Sequence, residues 1–178
     1  MTLSSATPGR FRALWGGALL LLAACASPSP ASPPPPSSSP FNPTDTAWIQ
    51  LMIPMNEQLL PALDVAPPAL APFAADLRAS HEEELGHLRR LRDRAGLPDA
   101  NPHAGHQMPG LVSEADLAAI RLDPSTLAVK LREHLDQAAL LARGEQDSGG
   151  DPETRDLAAS IAAARAAQSA ELAAVTDP

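Results

Sequence analysis

From Phe41 onward the apolar residues recur every three or four positions, with no sustained alternation. That period gathers them on one face of a helix and leaves no half-buried strand, so an all-α fold is expected. A first helix opens near Thr44 or Asp45 and carries the stripe Trp48, Leu51/Met52, Met55, Leu59 and Leu63. Kinks are expected at Pro54 and Pro61, where the backbone donor is missing, and Val65-Ala66-Pro67-Pro68 ends the helix. A second stripe runs Leu70, Phe73, Leu77, His81, Leu85, Leu88 and Leu91, and stops where Gly96 can take a left-handed cap and Pro98 blocks continuation.

A Gly/Pro-rich connection, Leu97 to Val112, leads to a short helix announced by Ser113-Glu114-Ala115-Asp116, a hydroxyl cap with an acid three residues on. Asp123-Pro124 and Asp151-Pro152 are matching start signals, an acidic cap followed by a proline at the first helical position. The third long helix carries Leu127, Leu131, His134/Leu135, Ala138 and Leu141 as far as Gly144, with a turn over Glu145 to Gly150. The fourth carries Leu157, Ile161, Gln168, Leu172 and Val175. Short connections within each pair and a long one between pairs predict a four-helix bundle of two antiparallel hairpins, with a short extra helix in the central connection.

The two halves look alike. Met55-Asn56-Glu57-Gln58 answers His134-Leu135-Asp136-Gln137 at a spacing of 79, and His81 with Glu84-Leu85 answers Gln168 with Glu171-Leu172 at 87. The difference of 8 residues is assigned to the Glu145 to Asp151 loop. Met55, His81, His134 and Gln168 are then expected as one interior layer of polar or soft side chains.

Ahead of the bundle, Arg10 and Arg12 precede an uncharged apolar run from Ala13 to Ala24, too short to span a bilayer and suited to a signal-peptide core. Leu22-Ala23-Ala24-Cys25 resembles the bacterial lipobox, with Cys25, the sole cysteine, as the lipidation site. The expected organisation is a signal peptide over residues 1–24, a lipidated cysteine with a Pro/Ser-rich spacer over 25–42, and the bundle over 43–178. Pro33 to Pro36 favours a stiff polyproline II spacer. The mature protein is expected to be exported and lipid-anchored in the cell envelope, with a bacterial membrane as its partner through palmitate-type acyl chains on Cys25.

The charge narrows the functions further. Removing the leader leaves 11 basic residues against 21 acidic ones, a net charge of −10, and the chain holds 3% aromatic residues and no tyrosine. An acidic chain without basic clusters or stacking aromatics does not fit nucleic acid. One cysteine allows no internal disulfide, Cys-based zinc site or iron–sulfur cluster. Glu84-Leu85-Gly86-His87 matches the Glu-x-x-His turn of di-iron bundles, but Ala174 stands where a second copy needs histidine. With no nucleophile constellation and no phosphate-binding loop, the chain is not expected to be an enzyme. Glu82-Glu83-Glu84 is expected to be a solvated face pairing with Arg89 and Arg90.

Several segments together resemble a known family. Met52-Ile53-Pro54-Met55-Asn56-Glu57-Gln58 is similar to a Met-Ile-x-His-His segment, and Leu131-Arg132-Glu133-His134-Leu135 to its second copy. Met108-Pro109-Gly110-Leu111 resembles a Met-Pro-Gly-Met linker, and the two Gln/His-x-x-Glu-Leu segments a Gln-x-x-Glu-Ile motif. These are features of the bacterial envelope proteins of domain-of-unknown-function family 305. The resemblance, over about Asp45 to Val175, implies a ferritin-like helical fold and copper handling by His pairs and Met residues. Of the four pair histidines this chain has His134, with Met55, Asn56 and Leu135 in the other places and Leu111 for the second linker Met.

The residues themselves offer two ligand sets. His134, His81 and Met55 would combine imidazole with thioether in the bundle interior, a donor set suited to copper; as ordinary core residues they would be satisfied by a neighbour such as Gln168. His103-Ala104-Gly105-His106-Gln107-Met108 places His103, His106 and Met108 on one flexible loop able to wrap a soft ion. Two functions follow as expectations: a membrane-anchored lipoprotein that buffers or transfers copper or another soft metal ion, or a metal-free bundle acting as an interaction or structural module.

Overall fold

Asn42 opens the bundle by accepting the N–H groups of Thr44 and Asp45, while the Asp45 carboxylate returns to the Asn42 N–H at 2.5 Å, a capping box that places Pro43 in the first turn. The computed structural model describes residues 39–176; the expected signal peptide, the lipidation site at Cys25 and most of the spacer lie outside the described residues. Within them the order is α1 (Pro43–Leu63), α2 (Ala71–Arg94), α3 (Glu114–Leu122), a 3-10 turn (Pro124–Thr126), α4 (Leu127–Ser148) and α5 (Pro152–Thr176). No strand occurs among the described residues, and none of their helices is long and apolar enough to cross a membrane.

Two of the expected start signals cap the helices they announce. Asp123, expected to open the third long helix, caps only the 3-10 turn, and α4 begins at Leu127 after Thr126 with no side-chain cap. Ser113 and Asp116 form a capping box, Asp123 accepts from the Ser125 N–H, and Asp151 accepts from the Thr154 N–H at 2.9 Å. Gly96 takes a left-handed φ of 67° just past α2. α1 pairs with α2 and α4 with α5, and the hairpins lie side by side through α1 against α4 and α2 against α5. The architecture is the expected two-hairpin bundle, with α3 in the long connection.

Three local expectations fail. α4 does not stop at Gly144 but continues to Ser148, because one glycine costs a helix only about 1 kcal/mol and the next turn buries Glu145. The turn is therefore only residues 149–151, shorter than the 64–70 connection between α1 and α2, so the expected 8 extra residues do not fill this loop but lie in the parts of α4 and α5 next to it. Val175, expected inside, is 40% exposed at the end of α5, while Leu157 and Gln168 are half-buried.

Two apolar clusters fill the interior. One gathers Leu59, Leu63, Phe73, Leu77, Leu131, Leu135 and Leu172; the other gathers Trp48, Met52, Met55, Leu85, Leu88, Ala138 and Ile161. Buried polar residues fall between them along each helix: His81 between Leu77 and Leu85, His134 between Leu131 and Ala138, and Arg165 between Ile161 and Leu172. Helical spacing thus stacks one polar layer between two dry ones.

Candidate metal centre

The layer is centred on two imidazoles. His81 on α2 and His134 on α4 are fully buried, with ring centroids 5.2 Å apart, planes tilted by 39°, and Nε2 atoms 3.0 Å from each other. His81 Nδ1 donates to the Leu77 carbonyl at 2.9 Å, and His134 Nδ1 donates to the Gly110 carbonyl at 2.9 Å. A carbonyl can only accept, so each Nδ1 carries the hydrogen. When both rings are neutral, each Nε2 therefore turns a lone pair toward the other.

The surroundings keep the rings neutral. Burial, then the positive charge of Arg165 and the neighbouring His134, hold His81 well below the ordinary histidine range. Burial and Arg165 hold His134 down at about 4, although its bond to Gly110 works the other way.

Gly110 makes this geometry possible. It has a φ of 77°, and an added Cβ would stand 2.6 Å from Gln137 Cβ and 3.1 Å from the Met55 methyl carbon. Its N–H donates to Glu133 Oε1 at 3.2 Å, fixing the loop against α4 with the carbonyl turned onto His134. Met55, fully buried, packs against the same glycine.

Three of the four residues expected in the interior layer are thus fully buried, and two of them touch. Gln168 does not satisfy either histidine. It accepts from Arg165 Nη1 at 2.9 Å and donates to Ser80 Oγ at 3.3 Å, since the two backbone carbonyls already hold the ring nitrogens. The loop set is less closed than expected. His103 and His106 lie edge-on at 6.2 Å between ring centroids, while Met108 packs against the second apolar cluster. Among the described residues no group of three or more His, Cys, Asp or Glu is placed to hold a metal ion.

One element of the layer was not anticipated. Arg165 is fully buried and grips Glu84 with both ends of its guanidinium, Nη1 to Oε1 at 2.9 Å and Nη2 to Oε2 at 2.5 Å. The Glu82-Glu83-Glu84 run is therefore not one solvated face. Glu82 pairs with Arg78 at 3.3 Å, Arg89 pairs with Glu57 at 2.7 Å, and Glu84 turns inward because only there can it neutralise a buried cation. The signal was present in the sequence: Arg165 stands four residues after Ile161 and seven before Leu172, on the inward stripe.

No protein-family model and no curated protein matches the chain. Among solved structures, the crystal structure of a DUF305 fragment from Deinococcus radiodurans is similar to it, with a TM-score of 0.67 at 20% sequence identity, over 76% of this chain and 97% of that one. Two hairpins, a long central connection and a layer of polar residues across the core thus make up a bundle with the fold of that DUF305 fragment.

Proposed function

We propose that the protein is an envelope lipoprotein, anchored through Cys25, whose bundle holds copper or another soft metal ion at His81 and His134. The observation that carries this reading is the pair of Nε2 atoms 3.0 Å apart, each ring fixed by an Nδ1–H bond to a backbone carbonyl. Converging lone pairs repel unless a proton or a cation lies between them. Two neutral imidazoles, with the Met55 thioether among the packed neighbours of Gly110, suit a soft ion such as copper and offer nothing to magnesium or calcium. Metal–nitrogen bonds of about 2.0 Å each require the rings to part by roughly 1 Å, a movement within reach of side-chain torsions.

The alternative, a metal-free bundle serving as an interaction module, draws support from Arg165, whose charge acts on both histidines and opposes any cation beside them. The bidentate Glu84 carboxylate offsets that charge. Thermal unfolding with cuprous ion under reducing conditions separates the readings. The melting temperature of the protein is expected to rise with copper, since a ligand at one hundred times its Kd adds about 2.7 kcal/mol to the folded state. His81→Gln should abolish the rise and the double variant His103→Ala/His106→Ala should keep it. Should wild-type protein show no rise, the metal reading fails and the interaction module stands.

A further inference from the structure

We propose that the groove between the first half of α1 and the second half of α4 binds an aliphatic amine carrying an acceptor oxygen. The ammonium group would sit at Glu145 and the hydrocarbon along the groove's apolar walls. This site is separate from the histidine pair and does not depend on it.

The groove has a volume of about 640 Å³, the size of a small-molecule site, and Ala47, Leu51, Leu140 and Leu141 are among its walls. Leu140 is 57% exposed there, so an apolar surface lies open to solvent. Trp48 and Glu145 line the same groove, at 4% and 1% exposure. Trp48 Nε1 is buried without a hydrogen-bond partner, and the buried carboxyl oxygens of Glu145 have none beyond the Asp45 carboxylate with which Glu145 shares its proton. Buried polar atoms are nearly always paired, and each exception calls for a reason. Here an unpaired indole N–H and a carboxyl whose one partner is another carboxyl line the same apolar groove, which is the pattern of a site awaiting its ligand.

Charge selects the ligand. Glu145 faces the Asp45 carboxylate on α1, and Asp151 at the start of α5 adds to the negative field. Of the nearby cations, Arg94 is engaged with Asp151 and Glu153, and Arg155 acts on Glu145 while donating to the Gln146 carbonyl. A buried carboxyl beside a carboxylate holds a proton or accepts a cation, and an ammonium group supplies that cation with its own donors. An oxygen on the same ligand takes the indole N–H, and a hydrocarbon body covers Leu51 and Leu140.

Calorimetric titration of the full chain at pH 7 with 8-amino-1-octanol, against 1,8-octanediol, tests this. The two probes differ only in the ammonium group. The amine is expected to bind at least tenfold more tightly and to release about one proton, because Glu145 holds its proton until the ammonium arrives. Glu145→Gln should remove the proton release and cut amine affinity at least tenfold while leaving the diol unchanged. Leu140→Ser, at an exposed position where folding is not at stake, should weaken both probes. Equal affinity for amine and diol, no binding of either, or amine affinity unchanged in both variants would overturn the proposal.

Discussion

Arg165→Leu is expected to destabilise the bundle by about 3–5 kcal/mol, because the substitution leaves the Glu84 carboxylate, 8% exposed, without the guanidinium that grips it. The loss comes from the stranded charge more than from the missing attraction. The double variant Glu84→Met/Arg165→Leu should therefore recover most of it, since apolar side chains of similar size often replace a buried ion pair at little cost. Urea unfolding of the three proteins at pH 7 gives the comparison through the midpoints at constant slope. A single variant losing less than about 1 kcal/mol, or a double variant as unstable as the single, would show that the pair is not the electrostatic anchor of the layer.

The second large effect is a fall in stability as pH rises from about 5 to 8. Burial, then the facing Asp45 carboxylate, pushes Glu145 up to about 8 from an ordinary value of 4.5. Below 4.5 both the folded and the unfolded chain carry this proton. Between 4.5 and 8 only the folded chain does, so the stability it confers drains away as pH rises and is gone above 8. At about 1.4 kcal/mol per pH unit, the upper bound is about 5 kcal/mol, which screening by solvent reduces.

Asp45 works in the opposite direction. Burial raises its proton affinity, but the facing Glu145 carboxyl and the amides of Asn42, Asp151 and Gly150 outweigh it and lower its pKa. Its contribution is present above 3.8 and lost on acidification, which places the optimum near pH 4 to 5. Glu145→Gln cannot ionise and should flatten the alkaline fall. Urea midpoints that stay level for the wild-type protein across this range would show that Glu145 ionises freely in the fold.

Helix starts were legible because they are local. Ser113 and Asp151 each act within three residues, and their caps form where the residue pattern places them, while the Asp123 cap closes a 3-10 turn and the long helix starts only at Leu127. The interior stripe was legible for the same reason, so that His81 and His134 could be placed inside from spacing alone. What they bond to could not be read. Leu77 is one turn away on the same helix, but the Gly110 carbonyl reaches His134 from a loop 24 residues distant, and only the left-handed glycine allows that approach.

Charged residues on inward stripes were the main loss. Arg165 and Glu84 lie 81 positions apart, so no local pattern announces the pair, and an arginine or glutamate alone suggests a surface position. Glu145 was hidden by Gly144, which reads as a stop although the helix passes through it. In both cases long-range packing overrode a sound local rule.

The most direct test of the central claim is the ring-nitrogen NMR spectrum of 15N-histidine-labelled protein at pH 7, before and after one equivalent of silver(I), a diamagnetic stand-in for cuprous ion. Before addition, His81 and His134 should each show a protonated Nδ1 held on its carbonyl and a bare Nε2. After addition, both Nε2 signals should move together while both Nδ1–H signals remain, and His103 and His106 should keep their shifts. Nε2 signals of His81 and His134 that stay in place, with silver taken up at His103 and His106 or not at all, would contradict the assignment of the buried pair as the metal centre.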